Sequence, residues 1–255
     1  MADTKFPTEV ISLPSKGYFY PEDNPLSSGK IEIKYMTARE EDILTSANLI
    51  QQGVVIEKLL ESLVVSKVNL DDMLIGDKNA VMVASRVLAY GKEYKIEFND
   101  GNSGRKREET ADLTTFEPKE IDFTKFTKGI NAFEYELPAS KRKITFKLLT
   151  QGDEKAIDIQ LKSLKKVMKK SGIDPEMTTR LKKTILSVDG NSDVAFISKF
   201  VDNEFLSIDS LAFRAYLISM TPDLDMTYYY EADNGDSEEV AVPMTAEFLW
   251  PSTKG

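Results

Sequence analysis

One pattern is written twice along this chain. Leu13-Pro14-Ser15-Lys16 precedes an alternating run from Ile31 to Thr37 and the acids Glu40 and Glu41; Leu137-Pro138-Ala139-Ser140-Lys141 precedes Ile144 to Thr150 and the acids Asp153 and Glu154. Each copy continues through helical segments and closes on a strand, a turn and a strand, the turns being Asn99-Asp100-Gly101 and Asp233-Asn234-Gly235. The expectation is an α+β fold of two tandem related modules. It divides into an extended arm over 1–30, a first module over 31–120, a linker over 121–136 and a second module over 137–255. Alternating helices and hairpins do not fit a doubly wound parallel sheet.

What is absent narrows the chemistry. The 255 residues contain neither cysteine nor histidine. No disulfide, thiolate nucleophile, imidazole proton shuttle or conventional zinc site can be built from them. Catalysis would have to rest on carboxylates, Lys, Tyr, Ser or Thr. With 41% hydrophobic residues the chain can bury a core, and its net charge of -9 argues against a whole-surface attraction to nucleic acid or anionic lipid. No run is long enough to cross a membrane, and the first residues do not read as a signal peptide, so synthesis and folding in a cytoplasm are expected.

Local signals place the elements. Pro7, Pro14, Pro21 and Pro25 make the first thirty residues extended, and Tyr18, Phe19 and Tyr20 in that arm need a surface, either their own domain or a neighbouring subunit. Thr37 and Glu40 form a capping box before a short helix. Val55, Ile56, Leu59, Leu60 and Leu63 have helical spacing, and Asp77 reads as the cap of a helix ending at Tyr90, with Gly91 as its left-handed stop. A hairpin is expected from Tyr94–Phe98 and a strand around Thr110–Phe116. In the second half the reading is a strand over 143–149 and helices over about 153–170 (stopped by Ser171-Gly172), 177–187, from Ser192 or Asp193 through Val201, and 208–220. The final strand pair is Met226–Tyr230 with Val240–Trp250.

Four constellations carry candidate chemistry. Glu40, Glu41, Asp42, Asp153 and Glu154 cluster at helix starts; there they complement the helix dipole as solvated acids, or, if desolvated, do acid–base work. Asp189-Gly190-Asn191-Ser192-Asp193 opens like a calcium loop, but Val194 stands where Gly is needed and Phe200 where Glu should ligate, so it reads as a turn. Lys162, Lys165, Lys166, Lys169 and Lys170, with Arg180, Lys182 and Lys183, form a basic island. A solvent face ranks first for it, an acidic protein partner second and nucleic acid third, since no aromatic interleaves the lysines. Tyr228-Tyr229-Tyr230 and Phe248-Leu249-Trp250 divide between a core face and a contact face. No catalytic, cofactor-binding or metal site is expected; the candidate protein contacts are Tyr18, Phe19, Tyr20, Lys165, Lys169 and Trp250.

Several strings resemble the baseplate proteins of T4-like contractile-tailed phages. They are Leu13-Pro14-Ser15-Lys16-Gly17 with Tyr20-Pro21, the run from Ile33 to Leu44, Leu59 to Leu63, Leu74 to Ala80, Thr178 to Leu181, Ser187 to Asn191, and Val242-Pro243-Met244 through Phe248-Leu249-Trp250-Pro251. The resemblance spans about Leu13 to Pro251. It implies a structural component of the baseplate hub or, alternatively, a transient hub assembly chaperone. Its partners would be other tail proteins, in an oligomeric setting, with no enzymatic activity and no cofactor. The expected location is the virion tail, after assembly in the host cytoplasm. The resemblance also brings relatives with Cys-x-x-Cys pairs at the two hairpin turns. Here residues 99–104 and 233–238 carry Asn, Asp, Gly and Ser, so turn chemistry replaces a metal clip.

Overall fold

The computed structural model describes residues 7–167, 174–244 and 246–249, with side chains left undescribed from 165 to 167 and at 246 and 247. In the first half, strands β1 (Thr8–Ser12) and β2 (Lys30–Lys34) lead to helices α1 (Ala38–Thr45), α2 (Ala47–Gln52), α3 (Val55–Leu63) and α4 (Ile75–Tyr90), then strands β3 (Glu93–Asn99) and β4 (Lys106–Asp112). The second half has β5 (Phe133–Glu136), β6 (Lys143–Phe146), α5 (Gln151–Val167), α6 (Glu176–Thr184), β7 (Ile185–Val188), α7 (Val194–Asn203), α8 (Ser207–Met220), β8 (Thr227–Glu231) and β9 (Ser237–Ala241). All sheet pairings are antiparallel: β1–β2, β3–β4, β5–β6–β7 and β8–β9. The class is α+β.

Local chemistry accounts for the element ends. The Glu40 carboxylate accepts from the Thr37 amide at 2.8 Å, closing the first turn of α1. Asp193 caps α7 by accepting from the Phe196 amide at 2.8 Å. Gly91 follows α4 with φ at 85°, a conformation open to glycine without steric cost. α3 buries Leu59, Leu60 and Leu63 on one stripe.

Several sequence expectations change. The 121–136 segment, expected as a linker with some strand character, carries β5 at its end and also packs inward: Phe123, Phe126 and Phe133 surround Phe19 with ring centroids at 5.8, 5.6 and 5.2 Å. Four aromatic rings remove more surface from water by clustering than a solvated tether could. Residues 185–187 leave the helix and pair as β7 against β6. In the last hairpin the second strand begins at Ser237 and ends at Ala241; Phe248 and Leu249 lie beyond it in a 3-10 turn, fully buried. The strand expected around Thr110–Phe116 likewise starts earlier, at Lys106. The expected stop of α5 at Ser171-Gly172 lies outside the described residues.

A single hydrophobic core runs through both halves, from Leu13, Phe19, Ile33 and Leu60 to Phe146, Phe200, Phe213 and Phe248. Backbone also joins the halves. Leu74 bridges Thr150 antiparallel, Ile75 N–H donates to Leu149 O at 3.2 Å and Gln151 N–H to Met73 O at 2.8 Å. On the adjoining face of α4, a Cβ at Gly76 would overlap the Pro222 carbonyl, and Asn79 donates to the Asp223 carboxylate at 3.2 Å. Gly76→Ala tests this contact. In an open helix the change stabilises by about 1 kcal/mol. Here backbone meets backbone, and the overlap is expected to reverse the sign, costing about 2 kcal/mol in urea unfolding.

Candidate functional site

The structure first disposes of the acids. Glu40 and Asp153 are buried, not solvated. Glu40 accepts from Lys34 Nζ at 2.8 Å and Ser62 Oγ at 2.6 Å, and Asp153 accepts from Lys147 at 2.7 Å with Lys183 at 3.4 Å. Burial pushes the Glu40 carboxyl up, but the Lys34, Ser62 and Thr37 hydrogen bonds outweigh it and hold it at about 2. Asp153 is lowered by the same balance, with Lys147 the main opponent of burial. Their partner sets are disjoint, and each is a neutralised structural ion pair. Glu41 and Asp42 stay exposed, and Glu154 holds Arg180 through two hydrogen bonds of 2.6 and 2.9 Å.

Two further acids are fully buried, and neither is a helix cap. Asp77 is the third residue of α4 and Asp209 the third of α8. Asp77 accepts from the Ser15 amide at 2.9 Å, the Ser15 hydroxyl at 2.6 Å and the Tyr20 hydroxyl at 2.5 Å. Asp209 accepts from the Ala139 and Ser140 amides at 2.7 and 3.0 Å. Each acid therefore pins a Leu-Pro turn to a helix start, and the lysine after the serine, Lys16 or Lys141, takes a positive φ of 52° or 59°. Burial raises the Asp77 carboxyl above its ordinary range. At Asp209 burial is outweighed by the donors from Ser140 and Ala139, which lower it.

The aromatic arm folds inward. Phe19 and Tyr20 are buried, and the Tyr20 hydroxyl accepts from the Leu74 amide at 2.8 Å while donating to Asp77. This corrects the reading of these two rings as partner contacts: a ring enclosed by its own core has no face left for a neighbour. Tyr18, partly buried, donates to Phe126 O at 3.0 Å. Of the basic island, Lys182 pairs with Asp202 at 2.7 Å and Lys162 donates to Gln52 O at 3.0 Å, so its described members are engaged at home. Lys165 has only its backbone described, and Lys169 and Trp250 lie outside the described residues.

The two hairpin turns meet. The Gly101 amide donates to Tyr230 Oη at 3.4 Å, Asn102 Nδ2 to Glu238 at 2.7 Å and Arg107 to Glu231 O at 2.8 Å, while Arg107 also holds Asp100 at 3.2 Å. The Ser103 amide leads the donors that keep the Asp100 carboxyl at about 2. Ile96, Ala111 and Val242 form a small apolar core beneath. Asp189 is a turn residue that accepts from Arg142 at 2.7 Å. Among the described residues no cluster of three acids could hold a metal ion, and no helix is long and apolar enough to cross a membrane.

What remains open is a surface. On α8, Ile208, Leu211 and Ile218 are 63%, 62% and 65% exposed, and Ala215 lies between them at the same helical spacing. Leu206, also exposed, precedes α8 as its N-cap residue, and Arg214 flanks the stripe. Exposed apolar residues are ordinary singly; aligned along three turns they form a continuous apolar stripe.

A family model described as T4 bacteriophage base plate protein matches residues 18–250. The chain belongs to that family. Searches of curated proteins and of solved structures return no match. For a base plate protein, the family points to a place in the phage tail among other tail proteins, and it is not a known enzyme family. The match covers both halves and both hairpin turns.

Proposed function

We propose that this base plate protein is a structural subunit of the baseplate hub of a contractile tail, acting through protein–protein contacts and not through catalysis. The observation that carries this reading is the contrast between interior and surface. The buried acids named above each serve a turn, a helix start or a lysine of their own half, whereas the apolar stripe of α8 stays exposed among the described residues. A catalytic pair needs ionisable groups held in reach of a substrate, and these are enclosed by their structural partners. We also infer that the two halves are one duplicated unit. Equivalent roles fall to Lys34 and Lys147, Thr37 and Thr150, Glu40 and Asp153, and Asp77 and Asp209. Assembly in the host cytoplasm and retention in the virion complete the proposal.

The test is mass spectrometry of purified tails together with an electron-microscopy map of the tail tip. The expected result is abundant peptides of this chain in intact tails and density at the hub that accepts the fold. Absence from finished tails, with tails failing to assemble when the gene is removed, would replace the proposal by a transient assembly chaperone.

A further inference from the structure

The joint between the two halves has an unused counterpart. Inside the chain, the start of α4 meets the start of α5: Met73 O and Ile75 N–H pair with Gln151 N–H and Leu149 O. If the halves are equivalent, the start of α8 corresponds to that of α4 and the start of α1 to that of α5. The equivalent groups are then Phe205 O and Ser207 N–H in the second half, and Ala38 N–H and Met36 O in the first. None of these four makes a hydrogen bond to a described residue. The adjoining helix faces differ in the same sense. The α4 positions matching Ile208, Leu211, Ala215 and Ile218 are Gly76, Asn79, Val83 and Arg86, and all four are buried or half-buried, Gly76 and Asn79 against Pro222 and Asp223 of the second half. The α8 stripe has no such cover among the described residues.

We propose that a second copy of this chain supplies it. The start of α1 of one copy pairs with the start of α8 of the next, repeating between molecules the joint that the chain forms within itself. Register adds charge complementarity. Leu74 faces Thr150 in the internal joint, so Leu206 faces Thr37, Phe205 faces Ala38 and Glu204 faces Arg39. Arg39 is exposed and forms no ion pair with a described residue; Glu204 is exposed and pairs with Arg142 at 3.0 Å and Lys199 at 3.7 Å in its own chain, so Arg39 of the next copy joins that cluster from outside. In the internal joint the position of Arg39 is held by Gly152, where a Cβ would stand 3.1 Å from Asp71, so the intermolecular joint opens slightly to admit the arginine. The two surfaces are different, so the contact is head-to-tail. Such contacts close into rings or run on as filaments, rather than stopping at a two-fold dimer. The inference does not depend on a hub location.

The test is sedimentation velocity on the full-length protein over a wide concentration range, with circular dichroism confirming that each variant is folded. The wild type is expected to associate beyond a dimer. Arg39→Glu and Leu211→Asp, both at exposed positions, are each expected to weaken association roughly tenfold or more. Ile218→Asp is the second probe of the stripe. An equimolar mixture of Arg39→Glu with Glu204→Arg should recover association that neither shows alone, because each offers the other a complementary end. A wild type that stays monomeric overturns the proposal. So does a dimer abolished by Leu211→Asp but indifferent to Arg39→Glu, which would mark α8 packing on α8. A mixture that fails to recover, both variants being folded, overturns the paired register.

Discussion

Asp77→Ala is expected to cost about 4 kcal/mol of unfolding free energy. The substitution leaves the Ser15 amide, the Ser15 hydroxyl and the Tyr20 hydroxyl without their buried acceptor. Each stranded donor costs about 1–3 kcal/mol, and because the three share one acceptor the losses do not add fully. Tyr20 would keep the Leu74 amide at 2.8 Å, so the 3-10 turn Leu70–Asp72 before α4 should survive while the Leu-Pro turn detaches. Urea unfolding gives the loss, and hydrogen exchange should localise it to residues 13–20. Asp77→Asn retains one acceptor oxygen and is expected to lose less. The two also differ in pH response. Burial raises the Asp77 carboxyl in the folded chain, so the folded state binds its proton more tightly than the unfolded one. The contribution of this group is therefore fully present below the unfolded value of about 3.9 and declines as the pH rises through the window to the folded value. In Asp77→Asn that slope is expected to vanish.

Glu40→Ala is expected to cost about 3 kcal/mol, because it leaves Lys34 beside a vacant buried site and strands the Ser62 hydroxyl and the Thr37 amide. Here the linkage has the opposite sign. The folded carboxyl is lowered from 4.5 to about 2, so the stability it contributes is present above pH 4.5 and is lost as the pH falls toward 2. Glu40→Gln should flatten the acid limb of the stability curve while leaving the Asp77 slope intact. Measuring urea midpoints between pH 2 and 6 separates the two. An acid limb unchanged in Glu40→Gln would show that Lys34 and Ser62 do not hold Glu40 in solution.

The contrast between these two acids explains what could be read from the chain. Glu40 was recognisable from its spacing to Thr37, because a capping box is a contact between residues three apart and sequence order fixes it. Its burial was not, since that depends on Ser62 arriving from α3 and on Lys34 from the strand before. Asp77 carried the opposite signal. An acid near a helix start reads as a cap, and only the return of Ser15 and Tyr20, more than fifty positions earlier, gives it three donors and a place in the interior. The rings of Phe19 and Tyr20 were legible as needing a surface. For Phe19 the surface proved to be Phe123, Phe126 and Phe133, from a stretch whose polar residues read as a linker, and for Tyr20 it was the start of α4. The α8 stripe was written in the spacing of 208, 211, 215 and 218, but the same helix also carries Phe213, Leu217 and Met220. A helix apolar on several faces does not announce which of them is left outside.

By itself, then, the order of residues determined the α+β class, the positions of most helices and hairpin turns, the lack of thiol and imidazole chemistry, and membership of a phage base plate family. These rest on periodicity, capping, composition and motif, all of which act over a few residues or over the whole string. The tertiary structure alone decided that the halves share one core, that Glu40, Asp77, Asp153 and Asp209 are buried with separate partners, and that one face of α8 stays exposed among the described residues. Each of those depends on which distant segments come to lie together, and that is set by the packing of the whole chain, not by any stretch of it.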